Sequence, residues 1–291
     1  MNTVLIAGIF MALLGISLAT LLAVANRRLY VYEDPRIDQV EEMLPHSNCG
    51  ACGTAGCRNF AEKVVAGEIM PGKCTVNQPQ QNQVIARFLG VEAGQEEKRV
   101  ARLACAGGKH VAYERAHYDG LSSCRAAAVA GGGGKACSWG CLGLGDCADV
   151  CDFDAISMNQ YGLPVVDADK CTACNDCVEV CPKDLFSLQP VSHKLWVACK
   201  NLADGDTAEY ACEVACTACG RCEADAPDGL IKIQNNLAVI DYAQNALAAR
   251  TPTERCPTGA IVWLDDVKGA LRGKAARKIV RQEALPVMTE A

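Results

Sequence analysis

Residues 137–151 read CSWGCLGLGDCADVC and residues 171–182 read CTACNDCVEVCP. Eight cysteines stand in this stretch, at Cys137, Cys141, Cys147, Cys151, Cys171, Cys174, Cys177 and Cys181. The second run has the C-x2-C-x2-C-x3-C-P spacing that binds cubic [4Fe–4S] clusters in pairs, the fourth cysteine of each run ligating the cluster of the other. Crossed in that way, Cys137, Cys141, Cys147 and Cys181 hold one cube, and Cys151, Cys171, Cys174 and Cys177 hold a second. Zinc sites usually mix in histidine or use paired C-x2-C knuckles, and the whole chain has only four histidines. Zinc is the weaker reading.

The rest of the composition agrees. Twenty cysteines occur in 291 residues, and they sit in tight groups that favour chelation over the disulfide frameworks of short secreted domains. Cluster thiolates need a reducing compartment. Aromatic residues make up only 5%, so metal–thiolate bonds must carry much of the folding energy. A net charge of −6 argues against a nucleic-acid partner.

Residues 1–26 contain no charged side chain, and Arg27 and Arg28 follow at once. The apolar run from Val4 to Ala25 is long enough to cross about 30 Å of hydrocarbon. Its positive charges follow it, where a secretory signal carries them in front. The positive-inside rule then predicts a single pass through the membrane, with the N-terminus out and everything after Arg27 in the cytoplasm. A cleaved signal is the alternative.

Next comes a cysteine module. Ile37, Val40, Met43 and Leu44 fall on one helical face, between Pro35 and Pro45. The run HSNCGACGTAGCRNF follows, with Cys49, Cys52 and Cys57, and Cys74 comes later. Its glycines let backbone wrap an inorganic core and aim N–H groups at sulfur. Residues 58–66 read as a short amphipathic helix. Four thiols at this spacing make a single [4Fe–4S] site, with a four-cysteine zinc site as the alternative.

The apolar helix, the P-H-x-N-C-G-A-C-G-x-x-G-C module and the C-L-G-L-G-D-C pair together resemble the B subunit of the Rnf complex, from the first residues to about Leu188. That family is a membrane-bound, ion-translocating ferredoxin:NAD oxidoreductase. The resemblance implies electron transfer from soluble reduced ferredoxin to other membrane subunits, and an enzyme only as part of that complex. One departure stands out: Asp152 follows Cys151 where ferredoxins usually place proline, which shapes the turn without being a ligand.

Residues 77–100 are polar and read as a solvated connector. The run Gly131–Gly134 is no phosphate loop, because Val129 and Ala136 stand where the Walker pattern needs Gly and Ser or Thr. It reads as a hinge or a tight backbone approach. The chain then repeats with a period of 75. Cys124, Cys137, Cys141, Cys147 and Cys181 recur as Cys199, Cys212, Cys216, Cys222 and Cys256. Cys151, Cys171, Cys174 and Cys177 are replaced by Ala226, Ala246, Ala249 and Pro252. Random decay would rarely remove the four thiols of one cube and spare the rest, so the second copy keeps one cluster. Its best ligands are Cys216, Cys219, Cys222 and Cys256, with Cys212 as the alternative to Cys219. That leaves Cys105, Cys124, Cys199 and Cys212 as either a further cluster or buried free thiols.

The expected architecture is α+β: an N-terminal transmembrane helix (1–26), a small [4Fe–4S] domain (32–91), a linker (92–135), a two-cluster ferredoxin-like domain (136–192) and a tandem second ferredoxin-like repeat (193–266). Hairpins are predicted over 155–166 and 230–240. A basic tail (267–291) has six Lys or Arg and no acid between Lys268 and Arg281 and reads as a basic helix, on lipid, on a partner or in solvent. Three clusters are expected within Cys49–Cys181 and a fourth in Cys216–Cys256. No catalytic triad, nucleotide loop or carboxylate pair stands out, and His46 and His110 read as structural or solvent-exposed. The rival readings are an iron–sulfur subunit of another membrane oxidoreductase, a membrane-tethered metal-binding interaction protein, or a redox sensor.

Overall fold

The computed structural model describes residues 2–29, 33–94 and 96–288; the expected domain start at residue 32 and the last three residues of the tail lie outside them. Helix α1 spans Asn2–Leu29. Its segment Leu5–Leu29 is long and apolar enough to cross a membrane, and none of it is buried against the rest of the protein. An apolar helix of this length left bare demands a non-aqueous surrounding.

The first module is built on α2 (Arg36–Glu42) and α3 (Cys57–Val65). The predicted apolar face of α2 buries Val40, which meets Leu44, Phe60 and Val64, with Cys57 and Cys74 in the same core. Arg58 locks the two helices from outside by reaching Asp38, Glu41 (2.8 Å) and Glu33 (2.6 Å). Part of the polar connector turns out to be helix α4 (Pro79–Leu89). Pro79 suits its first turn, and Gly90, at φ +70°, ends it. Ile85 faces the core, and buried Asn82 donates to the Cys74 carbonyl (3.1 Å).

The stretch expected as a linker also folds into the next domain. Strand β1 (Arg99–Leu103) leads to α5 (Cys124–Val129), α6 (Asp146–Asp149), the hairpin β2 (Ile156–Met158) and β3 (Pro164–Val166), α7 (Asp176–Val180) and β4 (Phe186–Pro190). β1 pairs antiparallel with β4, Leu103 opposite Phe186. Val100 and Ala101 of β1 are buried with Ile156, Phe186, Cys147, Cys171 and Cys177. A charged lead-in at Glu96–Arg99 masks this strand in the sequence. The glycine run is a tight approach: all four glycines have φ between +70° and +83°, and a Cβ on Gly134 would lie 2.1 Å from the Ala116 carbonyl oxygen.

The second repeat contains β5 (Leu195–Val197), α8 (Gly205–Ala211), α9 (Arg221–Asp225), the hairpin β6 (Ile231–Gln234) and β7 (Leu237–Ile240), α10 (Thr251–Glu254), β8 (Ile261–Asp265) and β9 (Gly269–Leu271). β5, β8 and β9 form one antiparallel sheet, with Val197 opposite Ile261. Ile261 is the repeat partner of Phe186, so β8 repeats β4 and β5 repeats β1.

The tail is extended where a basic helix was expected. Its glycines, Gly269 and Gly273, and the lack of an apolar stripe deny it a helix. It lies along the second repeat instead, through Arg277–Glu209 (2.7 Å) and Arg281–Glu213 (3.2 Å). Gly273 is the tight point: a Cβ there would lie 1.9 Å from the Thr253 carbonyl oxygen. Gly273→Ala is therefore expected to cost about 1–3 kcal/mol and to release the tail. Faster tryptic cleavage at Arg277 and Arg281 with a lowered Tm would show it. Unchanged cleavage would mean that the tail is held elsewhere.

Candidate metal centres

All twenty cysteines lie within the described residues, and none is in a disulfide. The structure gathers them in fours. Cys49, Cys52, Cys57 and Cys74 line one hollow. The Asn48 side chain shapes it, its Oδ1 accepting from the Cys57 N–H (2.8 Å) at the start of α3. Thr54 Oγ1 lies 3.1 Å from Cys52 Sγ.

A second hollow is lined by Cys124, Cys141, Cys147 and Cys181. Cys147 rides on α6, Cys181 ends α7, and Cys124 begins α5. Asp146 holds α5 in place, accepting from Ser123 Oγ (3.0 Å) and the Cys124 N–H (2.8 Å). Burial first, then the nearby Cys124 and Cys181, push the Cys147 thiol up to about 12. Cys137, expected in this set, is not on its wall; Cys124 takes the place.

Cys151, Cys171, Cys174 and Cys177 form a third group. Burial pushes Cys177 up to about 12, with Cys171, Cys174 and Cys151 adding to the rise. The Ala101 N–H of β1 donates to Cys171 Sγ (3.4 Å). The second repeat lines its own hollow with Cys216, Cys219, Cys222 and Cys256. Cys219 stands on that wall and the alternative, Cys212, does not. It is also the one exposed cysteine of the twenty.

Each of these three hollows is partly open to solvent, with its four cysteines on the wall. Among the described residues no group of three or more Cys, His, Asp or Glu side chains is placed to hold a single metal ion. Thiols ringing a hollow fit a multi-iron cube better than a lone zinc. Thiols raised to about 12 stay protonated at neutral pH until metal displaces the proton.

Neighbouring groups touch. α6 carries Cys147 and runs into Cys151, and α7 carries Cys177 and ends at Cys181, so the second and third groups share two helices. Thr75, next to Cys74, donates to the carbonyl of Thr172, next to Cys171 (2.6 Å); this joins the first group to the third.

Comparison with known proteins agrees with this arrangement. A family profile described as "Putative Fe-S cluster" matches residues 44–76, and one described as "4Fe-4S dicluster domain" matches residues 136–185. The B subunit of the Na(+)-translocating ferredoxin:NAD(+) oxidoreductase complex of Acetobacterium woodii is 39% identical over 88% of this chain and 75% of its own length. The proton-translocating counterpart from Clostridium ljungdahlii is 39% identical over 90% of this chain and 93% of its own. In Methanosarcina acetivorans, the B subunit of the ion-translocating oxidoreductase complex is 37% identical over 90% and 99%. The likeness runs through both repeats as well as the two profile regions, and the chain belongs to the family of B subunits of ion-translocating ferredoxin:NAD(+) oxidoreductase complexes.

Proposed function

We propose that this chain is the iron–sulfur relay of such a complex, taking electrons from reduced ferredoxin and handing them to partner subunits in the membrane. The observation that carries the reading is the gathering of cysteines into quartets, the first and second of which each touch the third. Bound to four thiolates, a [4Fe–4S] cube accepts and returns one electron at a time. The ligand sets proposed are Cys49, Cys52, Cys57 and Cys74; Cys124, Cys141, Cys147 and Cys181; Cys151, Cys171, Cys174 and Cys177; and Cys216, Cys219, Cys222 and Cys256. Backbone N–H groups aimed at sulfur, such as that of Ala101 toward Cys171, favour the reduced state and tune each site.

Direction follows from exposure. Cys219 opens the fourth site to a soluble donor, whereas the first site lies in the module that follows α1. Arg27 and Arg28 at the end of α1 support a body on the cytoplasmic side, because positive charges are retained there. α1 offers no charged residue through residue 26, so the translocated ion crosses through partner subunits. Two relatives of equal identity are named for different ions, Na(+) and the proton, so overall identity does not select the ion.

The test is anaerobic titration of the purified, detergent-solubilised chain with reduced ferredoxin. Bleaching of the broad absorbance near 400 nm in step with ferredoxin oxidation is the expected result. If dithionite bleached the protein and ferredoxin did not, ferredoxin would not be its donor.

A further inference from the structure

The four sets above leave Cys105, Cys137, Cys199 and Cys212. These four line a hollow of their own, together with Gly107, Lys135, Asn201 and Lys200. It lies between the two repeats, each of which supplies two of its thiols. From this arrangement we infer a fifth [4Fe–4S] site, ligated by Cys105, Cys137, Cys199 and Cys212, that joins the fourth site to the second. The inference rests on the reading of the other quartets as cube sites.

The geometry is that of a pseudo-two-fold site. β1 and β5 are repeat equivalents, and each is followed by Ala-Cys: Ala104–Cys105 and Ala198–Cys199. The Ala104 N–H donates to the Leu185 carbonyl, and the Ala198 N–H to the Ala260 carbonyl, both at 2.8 Å; Leu185 and Ala260 are also repeat partners. Cys105 is therefore the counterpart of Cys199, and Cys137 of Cys212. The Cys141 N–H donates to Cys105 Sγ, and the Cys216 N–H to Cys199 Sγ, each at 3.4 Å. Cys141 and Cys216 are repeat partners too, so the two hydrogen bonds are one contact made twice.

The walls suit a cluster. A Cβ on Gly107 would lie 3.1 Å from Cys212 Sγ and 3.7 Å from Cys105 Sγ, so the missing side chain leaves the two sulfurs a shared space. Asn201, 2% exposed, donates from Nδ2 to Cys137 Sγ and from its backbone N–H to Cys199 Sγ, both at 3.5 Å. Its Oδ1 accepts from the Ala203 N–H (2.8 Å), which fixes the amide. Lys135 spans the site, its Nζ donating to the carbonyls of Gly107 (2.5 Å) and Cys141 (2.6 Å), and it sets a positive charge beside what is a net-negative group when four thiolates hold the cube. Isolated buried thiols would need no such donors.

The placement completes a row. Cys199 touches the backbone of Cys216, a ligand of the fourth site, and Cys105 touches that of Cys141, a ligand of the second. An electron arriving from one side leaves to the other with no net chemistry at the site. Without the fifth cube the exposed fourth site would be cut off from the rest by the span of the hollow.

Iron, acid-labile sulfide and zinc are to be measured on the anaerobically purified full-length chain and on Cys212→Ser. About 20 irons and 20 sulfides in the parent, against about 16 in the variant, is the expected result. A parent value of about 16 irons, with or without one zinc, overturns the fifth site while leaving the other four intact. About 20 irons with no reduction by ferredoxin would spare the site and sink the relay reading; no iron would sink both. If Cys212→Ser does not fold, Asn201→Leu decides. Loss of its donor to Cys137 is expected to move one redox wave to lower potential in an EPR-monitored titration and leave the others in place. All waves unmoved would overturn the assignment.

Discussion

Stripping the iron with a chelator under argon is expected to unfold the chain from Arg99 to Asp265, not merely to bleach it. Its helices there run four to seven residues and its strands three to five, too short to stand alone. The core of the second repeat is Leu195, Leu230, Ile231 and Ile261 packed around Cys216, Cys222 and Cys256. The first repeat is built the same way around Cys147, Cys171 and Cys177. A structural metal site in a small domain contributes on the order of 10 kcal/mol, whereas a whole domain is stable by only about 5–15 kcal/mol. Removing several sites leaves nothing to offset chain entropy. Circular dichroism should fall to the signal of α1 in its micelle and of the first module's helices α2–α4, and protease should clear the stretch from Arg99 to Asp265. A cooperative melt and protease resistance kept by the iron-free protein would show that side-chain packing alone holds the fold.

Cys49→Ala carries the second large effect, on delivery. Cys49 is half-buried, outside the Val40–Phe60–Ile85 core, so the module should keep its shape while losing one cube. Reduced ferredoxin should still reduce the remaining clusters. Transfer to the partner subunits, measured in the whole complex, is expected to fall about 100-fold or more, equal to about 2.7 kcal/mol of barrier. The first site lies next to α1 in the chain, and Thr75 links it to the third. Delivery at the parental rate by the variant would place the exit at another cluster.

The sequence speaks well where a signal is local. The apolar run at α1, the face Ile37–Val40–Leu44, the hairpins β2–β3 and β6–β7 and the C-x2-C runs all answer to neighbours a few residues away. It speaks poorly where a ligand arrives from afar. Cys137 precedes Cys141 by four residues and invites grouping with it, yet the chain from β1 through Ser123 carries Cys124 into that place. A fixed repeat offset pairs Cys124 with Cys199 and hides Cys105, because an insertion separates β1 from the first cysteine run. The shared words LAC at 103–105 and VAC at 197–199 are the signal that points to the structural pair. The tail misleads in another way: a run of basic residues reads as a helix until Gly273 is seen to be wedged against Thr253.

The exposure of Cys219 has a price in air. If the fourth site is the proposed point of electron entry, dioxygen would reach its iron through the same opening, and the other cysteines are shielded to varying degree. In aerobic handling the fourth site is expected to corrode first, leaving a protein still brown, still folded around its inner cubes, and deaf to its donor. The subunit's working lifetime is then set at its front door.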